Sequence, residues 1–168
     1  MNILVTGGTG FIGKYLVNSL LEKNYTVTIF DNFSNSTKDS LKSLVSKGVK
    51  LIDGDITRPS EISNAIINQK IVIHLAAKIS VSESIKNPSE TFEVNVEGTK
   101  NILKACQKNN IKKLIVASSA AVYGESFPNV KLTEESKINP ISPYGESKVK
   151  MEKEIREFES KHEIDCII

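Results

Sequence analysis

Short runs of apolar, largely β-branched residues recur along the chain, and between them apolar residues return every third or fourth position. The uninterrupted runs predict buried strands: NILVT (2–6), TVTIF (26–30), VKLI (49–52), IVIHL (71–75), KLIVA (113–117) and the final DCII (165–168). The helical spacing predicts helices at 11–21, 41–45, 59–66, 88–106 and 143–158. Strands alternating with helices indicate an α/β fold, a doubly wound parallel sheet covered on both faces in three αβα layers.

The composition is that of an ordinary globular chain and narrows the range of partners. A length of 168 residues suits one well-buried domain, so we expect a single domain over residues 1–168. With 22 basic and 20 acidic residues the net charge is +2, which gives no electrostatic case for nucleic acid or an anionic membrane as partner. No apolar run approaches a membrane span and the N-terminus enters a strand at once, so we predict a cytoplasmic protein.

The cysteines and histidines offer little chemistry by themselves. Cys106 and Cys166 stand alone, without a CxxC or a Cys/His cluster, so we predict neither a disulfide nor a metal site. His74 ends an apolar strand and is interpreted as a packing histidine with satisfied nitrogens rather than as a base. His162 lies in a charged helix end and is interpreted as a surface residue.

A glycine-rich stretch, TGGTGFIG (6–13), lies between the first predicted strand and the first predicted helix. Gly7, Gly10 and Gly13 provide the tight turn, the close backbone approach and the helix packing that a pyrophosphate site needs, and the helix N-terminus attracts anions. Asp31 ends the second strand, where its carboxylate can bond a ribose diol and repel a 2′-phosphate. The stretch predicts a dinucleotide site that favours NAD over NADP; the alternative is glycines used for packing and Asp31 used in a turn.

The stretch SPYGESK (142–148) places Tyr144 and Lys148 one helical turn apart on a common face. One interpretation is a surface helix start with a solvated lysine, and the other is a tyrosine that a neighbouring cation prepares for proton transfer. The spacing alone leaves both open. The stretch follows a segment without periodicity, 118–142, that begins after a predicted strand, where open α/β sheets bind ligands.

Taken together, the motifs resemble those of a known family. TGGTGFIG, DNFSNS, HLAA, NVEGT, SSAAVYG and SPYGESK occur here in the order found in extended short-chain dehydrogenases/reductases of the NAD-dependent epimerase/dehydratase type. Within that family the chain is most similar to nucleotide-sugar 4-epimerases of the UDP-glucose/UDP-galactose type. The resemblance covers essentially the whole chain and implies a Rossmann fold with NAD as cofactor.

The resemblance also implies individual site residues. The serine before the AxVYG stretch and the YxxxK pair would form the catalytic group, here Ser119, Tyr144 and Lys148. No metal ligand is implied. The implied cofactor-binding residues are Gly7, Gly10, Phe11, Ile12, Gly13, Asp31, Asn32, Ser34, Ser36, Asp55, Ile56, Leu75, Ala76, Ala77, Asn95, Tyr144 and Lys148.

The reaction that the resemblance implies is oxidation of a sugar at C4 followed by reduction from the opposite face, with NAD regenerated. Lys148 would favour the tyrosinate form of Tyr144, which would take the proton of the 4-OH while Ser119 bonds the same oxygen. Related dehydratases and decarboxylases carry a carboxylate just before VYG, where this chain has Ala120 and Ala121. An epimerase is therefore favoured, and a 4-keto reductase remains compatible with the motifs.

Chains of this family continue into a smaller substrate-binding domain, which we expect to be absent from residues 1–168. The alternative function is accordingly an NAD-binding module without turnover. The resemblance further implies a UDP-sugar as partner and a possible homodimer, paired through the helices predicted at 88–109 and 144–161.

Overall fold

The computed structural model describes residues 1–34, 36–125 and 131–168, with the side chains of residues 38–41 outside that description. Within this part, six parallel strands form one sheet in the order β3-β2-β1-β4-β5-β6. The strands are β1 (Asn2–Thr6), β2 (Thr26–Asp31), β3 (Lys50–Asp53), β4 (Ile71–His74), β5 (Lys113–Val116) and β6 (Asp165–Ile167). The predicted doubly wound sheet is confirmed, because the strand order runs outward from β1 in both directions as in the Rossmann fold.

Helices connect the strands and cover both faces of the sheet. They are α1 (Phe11–Glu22), α2 (Lys38–Ser46), α3 (Pro59–Ala65), α4 (Val81–Lys86), α5 (Pro88–Phe92), α6 (Gly98–Lys108) and α7 (Pro143–Glu159). A π-helical turn, Glu93–Glu97, joins α5 to α6, and a short 3-10 helix, Ala120–Tyr123, follows β5. Pro59, Pro88 and Pro143 each begin a helix, where the missing N–H of proline costs nothing.

The side chains of β1 show how the layers are built. Ile3 and Val5 point to one face and belong to a buried cluster that includes Val17 of α1. Leu4 points to the other face and belongs to a second buried cluster that includes Ile102 of α6. The second cluster also takes in buried residues of α3 and α7. The alternation along a strand buried on both sides thus produces the predicted three αβα layers.

The structure departs from the predicted elements in three places. The single helix predicted at 88–106 is α5, the π-helical turn and α6, with the turn centred on Asn95. Helix α4 was not predicted, because its sequence VSESIK carries few apolar residues. The segment 118–142, predicted without structure, contains the 3-10 helix, and its residues 126–130 lie outside the described part.

Several apolar side chains of the predicted helices are exposed. Phe11 and Ile12, which the resemblance placed beside the cofactor, are 82% and 64% exposed at the N-terminal turn of α1. In α2, Leu44 is buried, whereas Val45 is 56% exposed. Conversely, His162 is half-buried rather than a free surface residue, since its ring packs against Phe158 with centroids 4.2 Å apart.

Among the helices of the described residues, none combines the length and the apolar character needed to cross a membrane.

Candidate functional site

The site lies at the carboxyl ends of the central strands, where β2 and β4 flank β1 on opposite sides. The order of the strands reverses at this point, and such a reversal opens a crevice at the edge of the sheet. The loop after β1 carries the glycine-rich stretch, the loop after β2 begins at Asp31, and the loop after β4 carries Leu75, Ala76 and Ala77. Ser119 follows β5. The topology therefore gathers the motifs predicted to act together.

The glycine-rich loop is packed so closely that side chains would not fit. Gly7 has φ of +67°, and a Cβ there would lie 2.6 Å from the backbone nitrogen of Ala76. A Cβ at Gly13 would lie 2.6 Å from the carbonyl oxygen of Gly7. The N-cap of α1, Gly10, has no side-chain hydrogen bond, and the first turn holds no acidic residue. Backbone amides thus remain available to a phosphate at this helix N-terminus.

The carboxylate of Asp31 organises the loops after β1 and β2. Its Oδ2 accepts hydrogen bonds from the amide of Thr9 at 3.0 Å and the hydroxyl of Thr9 at 2.7 Å. Its Oδ1 accepts a bond from the amide of Phe33 at 2.9 Å, and the hydroxyl of Ser36 donates to Thr9 Oγ1 at 2.6 Å. Thr9 was not predicted as a site residue, since a threonine inside a glycine-rich stretch carries no separate signal.

The neighbouring residues of the predicted ribose site lie in the same loop. The side-chain oxygen of Asn32 accepts a bond from the amide of Ser34 at 3.1 Å, and both residues are exposed. Asp31, Asn32, Ser34 and Ser36 therefore share one short segment at the edge of the crevice. Residue 35 lies outside the described part.

Asp55 and Ile56 follow β3 and differ in what they can contribute. Asp55 Oδ1 accepts bonds from the amide and hydroxyl of Thr57, at 2.8 and 2.9 Å. The side chain of Ile56 is 5% exposed and packs where a Cβ on Gly98 would stand. Ile56 can therefore meet a ligand only through its backbone.

Lys148 is buried in α7 with an exposure of 4%, so it is not the solvated lysine of the surface interpretation. Its Nζ donates a hydrogen bond of 2.9 Å to the carbonyl oxygen of Ala117, directly after β5. Burial lowers the pKa of Lys148 from 10.5 to about 8, and the nearby carboxylate of Glu152 opposes that change. Tyr144, one turn earlier, is 9% exposed, and its amide donates to the hydroxyl of Ser84 in α4.

Ser119 lies where β5 meets the N-terminus of α7. Its Oγ accepts a bond of 3.2 Å from the amide of Ala121 and caps the 3-10 helix. A Cβ on Gly145 would lie 2.6 Å from the carbonyl oxygen of Ala121, so the first turn of α7 packs directly against that helix. The hydroxyl of Ser118 donates to Glu152 and connects the same loop to the third turn of α7. Ser119, Tyr144 and Lys148 consequently belong to one packed unit.

Asn95 joins this unit to the end of β4. Its side-chain oxygen accepts a bond from the amide of Lys78 at 2.8 Å, and its Nδ2 donates to the carbonyl of Lys78 at 3.0 Å. The same Nδ2 donates to Ser147 Oγ at 2.9 Å, and Ser147 donates to the carbonyl of Tyr144 at 2.7 Å. Neither Lys78 nor Ser147 was singled out from the sequence.

His74 is buried, and the two cysteines belong to or pack against the buried cluster around α6. His74 is buried with both ring nitrogens hydrogen-bonded, which confirms the packing interpretation. Cys106 and Cys166 are free thiols, and no cluster of potential metal ligands occurs among the residues described.

Comparison with known proteins agrees with the geometry. The model of the NAD dependent epimerase/dehydratase family matches residues 3–168. A putative UDP-glucose 4-epimerase of Methanocaldococcus jannaschii is 40% identical over 99% of this chain and 53% of its own length. The UDP-glucose 4-epimerase of Yersinia enterocolitica is 39% identical over 96% of this chain and 50% of its own length.

Solved structures give the same result. The Thermus thermophilus UDP-glucose 4-epimerase in complex with NAD superimposes with a TM-score of 0.92 at 32% identity, over 99% of this chain and 53% of that one. The UDP-N-acetylglucosamine 4-epimerase of Methanobrevibacter ruminantium superimposes with a TM-score of 0.89 at 34% identity, over 98% of this chain and 52% of that one. The chain spans about half the length of these relatives. It belongs to the NAD dependent epimerase/dehydratase family.

Proposed function

We propose that the chain is the NAD-binding part of a nucleotide-sugar 4-epimerase of the UDP-glucose/UDP-galactose type, which acts through a transient 4-keto sugar. The observation that carries this proposal is the buried ammonium of Lys148, held at the carboxyl end of β5 one turn after Tyr144 and beside the loop of Ser119. A buried cation next to a tyrosine at a ligand crevice is costly to maintain and suits proton-transfer chemistry.

The residues present fit NAD as the cofactor. The uncapped N-terminus of α1 and the close-packed glycines suit a pyrophosphate, and the exposed Phe11 and Ile12 flank that position. Asp31 suits a ribose diol, and its charge disfavours a 2′-phosphate, so we propose NAD over NADP. Bound NAD would supply the reversible oxidation at the sugar C4.

The chain's own residues would move and hold the proton of the reacting hydroxyl. Tyr144 accepts the proton of the sugar 4-OH, and Ser119 bonds the same oxygen. The positive charge of Lys148 favours the tyrosinate form of Tyr144. In the present structure Lys148 donates to Ala117, and its pKa of about 8 keeps the ammonium largely protonated at neutral pH. Lys148 thereby provides a fixed charge rather than a proton.

The 3-10 helix supports epimerisation over dehydration. Ala120 and Ala121 occupy its first two positions, next to Ser119, and neither carries a carboxylate that could assist loss of water. Because the chain spans about half the length of its relatives, the contacts that select the sugar are proposed to lie in the part of those relatives that it does not span. For residues 1–168 alone, as one cofactor domain, we propose NAD binding without turnover.

Calorimetry on the 168-residue chain tests the cofactor assignment. NAD should bind more tightly than NADP. Asp31→Asn removes the carboxylate charge, so it should weaken the affinity for NAD roughly 10- to 100-fold and reduce the preference for NAD over NADP. Asp53→Asn is the matched control, because Asp53 lies beside Asp31 in register at the end of β3 and is exposed. Equal or tighter binding of NADP by the unchanged chain would contradict the assignment.

We also propose that the chain pairs through the outer faces of α5, α6 and α7. These helices form one continuous surface, since Lys100 of α6 bridges Glu154 of α7 at 3.2 Å and Lys150 of α7 lies over the ring of Phe92. A shallow groove on α7 lined by Val149 and Lys153 runs along it. Light scattering at high concentration should give twice the mass of the chain, and a monomer would contradict this.

The cytoplasmic location stays a prediction from the sequence.

A further inference from the structure

His74 is a buried histidine that the proposed reaction does not use. It ends β4 with an exposure of 2%. Its Nδ1 lies 2.7 Å from the hydroxyl of Thr6, at the end of β1, and its Nε2 lies 3.0 Å from the hydroxyl of Thr99 in α6. The ring therefore links the ends of β1 and β4, next to the glycine-rich loop, to helix α6.

The hydrogen bonds around the ring allow one neutral tautomer. Thr99 Oγ1 donates its proton to the carbonyl oxygen of Asn95 at 2.7 Å, so toward His74 it can only accept, and Nε2 must carry the proton. Thr6 Oγ1 accepts from the amide of Ala76 at 3.3 Å and retains its own proton for Nδ1. Every donor and acceptor is then satisfied in one direction, from Ala76 through the ring to Asn95.

Burial and charge keep the ring neutral. Burial lowers the pKa of His74 from 6.5 to about 3, and the positive charge of Lys148 acts in the same direction. At neutral pH the ring thus has one N–H and one lone pair, as the bonds to the two threonines require.

The chain of bonds reaches the proposed reacting residues. Thr99 holds the carbonyl of Asn95 within the π-helical turn, and the side chain of Asn95 bonds Ser147, which bonds the carbonyl of Tyr144. Asn95 also clamps the backbone of Lys78 after β4. A change at His74 would therefore act both on the end of β1 and on the first turn of α7, through hydrogen bonds of 2.7 to 3.0 Å.

We propose that His74 is a positioning residue: as the Nε2–H tautomer it locks the backbone beneath the glycine-rich loop to the turn of Asn95, and so sets Tyr144 and Lys148 relative to the bound dinucleotide. The inference rests on the proposed function in taking NAD as that dinucleotide. His74 would not touch the cofactor or the sugar.

Other side chains would satisfy only part of this arrangement. Glutamine places an amide nitrogen near the position of Nε2 and can still donate to Thr99, but it loses the acceptor for Thr6. Leucine fills the space, but it leaves Thr99 Oγ1 without the donor that His74 provides and the hydroxyl of Thr6 without its acceptor. The two variants therefore differ in the bond from residue 74 to Thr99, which is the link toward Asn95 that the proposal requires.

Two measurements on the 168-residue chain test the proposal. Long-range ¹H–¹⁵N spectra of the imidazoles report the tautomer of His74, and His74→Leu removes its signals and so assigns them. NAD titration then compares His74→Leu, His74→Gln and the control Val72→Ala, which shortens a buried side chain two residues earlier in β4. We expect an Nε2–H ring that stays neutral at pH 5, and NAD binding roughly 5- to 30-fold weaker in His74→Leu.

The control and the conservative variant separate positioning from general loss of stability. His74→Gln should recover most of the NAD affinity, and Val72→Ala should keep it even where its unfolding free energy falls as far as that of His74→Leu. If His74→Leu does not fold, Thr99→Val removes the same link with the shape retained and should weaken NAD equally.

Three results would overturn the inference: an Nδ1–H tautomer, a ring protonated at pH 6, or equal NAD affinity in His74→Leu and Val72→Ala. Failure of the unchanged chain to bind NAD would instead overturn the proposed function itself, and with it the positioning role that rests on it.

Discussion

The ammonium of Lys148 donates a 2.9 Å hydrogen bond to the carbonyl oxygen of Ala117, which ties the second turn of α7 to the end of β5. A buried charge held by a neutral acceptor makes the site costly for the unliganded fold. It also makes the protonation of Lys148 visible in the stability of the protein.

Stability should therefore rise at alkaline pH. The pKa of Lys148 is lowered from 10.5 to about 8, so the unfolded chain binds this proton more tightly and the unfolding free energy increases from pH 8 to 10.5. The shift corresponds to roughly 3 kcal/mol. Lys148→Met should lack this rise in denaturant unfolding measured across that range.

The comparison must be made against a second lysine variant. Burial raises the pKa of Cys106 to about 12 and that of Cys166 to about 11, and these thiols lower the stability above pH 9 in every variant. Lys153→Met, at an exposed position of the same helix, carries the same thiols and should keep the rise. Identical pH profiles for the two variants would contradict the account of Lys148.

Acid should destabilise the fold through His74. Its pKa is lowered from 6.5 to about 3, so the unfolded chain takes up this proton first and stability falls as the pH drops from 6.5 toward 3. The expected contribution is about 1.4 kcal/mol for each pH unit within that window. His74→Gln should flatten the slope by that amount, and an unchanged slope would show that the ring is not held neutral.

The glycine-rich loop should tolerate no side chain at Gly13. A Cβ there would lie 2.6 Å from backbone atoms of Gly7 and Gly8, so Gly13→Ala should displace the loop and abolish measurable NAD binding. Gly48→Ala is the control: it strains a positive φ of +82° by roughly 1 kcal/mol but has open space around it. Loss of stability with NAD binding retained is expected for Gly48→Ala, and NAD binding by Gly13→Ala would refute a phosphate role for this loop.

The parallel sheet, its doubly wound arrangement and the motif-bearing loops could be predicted from the sequence, because apolar runs and glycine spacing reflect local physical requirements. The interruption of the helix at Asn95 could not be predicted, since a π-helical turn does not change the apolar spacing recognisably. Thr99 falls at the apolar spacing of the helix predicted at 88–106; it is buried there, but its hydroxyl bonds His74 and Asn95.

The polar residues that link these elements could not be assigned their roles from the sequence either. Thr6, Thr9, Ser84 and Ser147 act through partners 22 to 70 positions away in the chain. The sequence does not distinguish a small hydroxyl side chain that faces water from one that faces a buried carbonyl, so only the tertiary structure assigns these roles. Helix α4 was not predicted for a related reason. Its buried position is occupied by Ser84, which accepts a hydrogen bond from the amide of Tyr144, so no apolar residue indicates the buried face of this helix.

The proposed reaction requires Tyr144 to transfer the proton of the sugar 4-OH. The most direct test is the interconversion of UDP-glucose and UDP-galactose by the product of the whole reading frame that encodes this chain, compared with its Tyr144→Phe variant. We expect a rate about 10²–10⁴-fold lower in the variant, because the hydroxyl that transfers the proton is removed. The amount of NAD released on denaturation should be unchanged, because the rest of the side chain is kept. A variant that turns over near the unchanged rate, or an unchanged protein that binds NAD and interconverts no UDP-sugar, would contradict it.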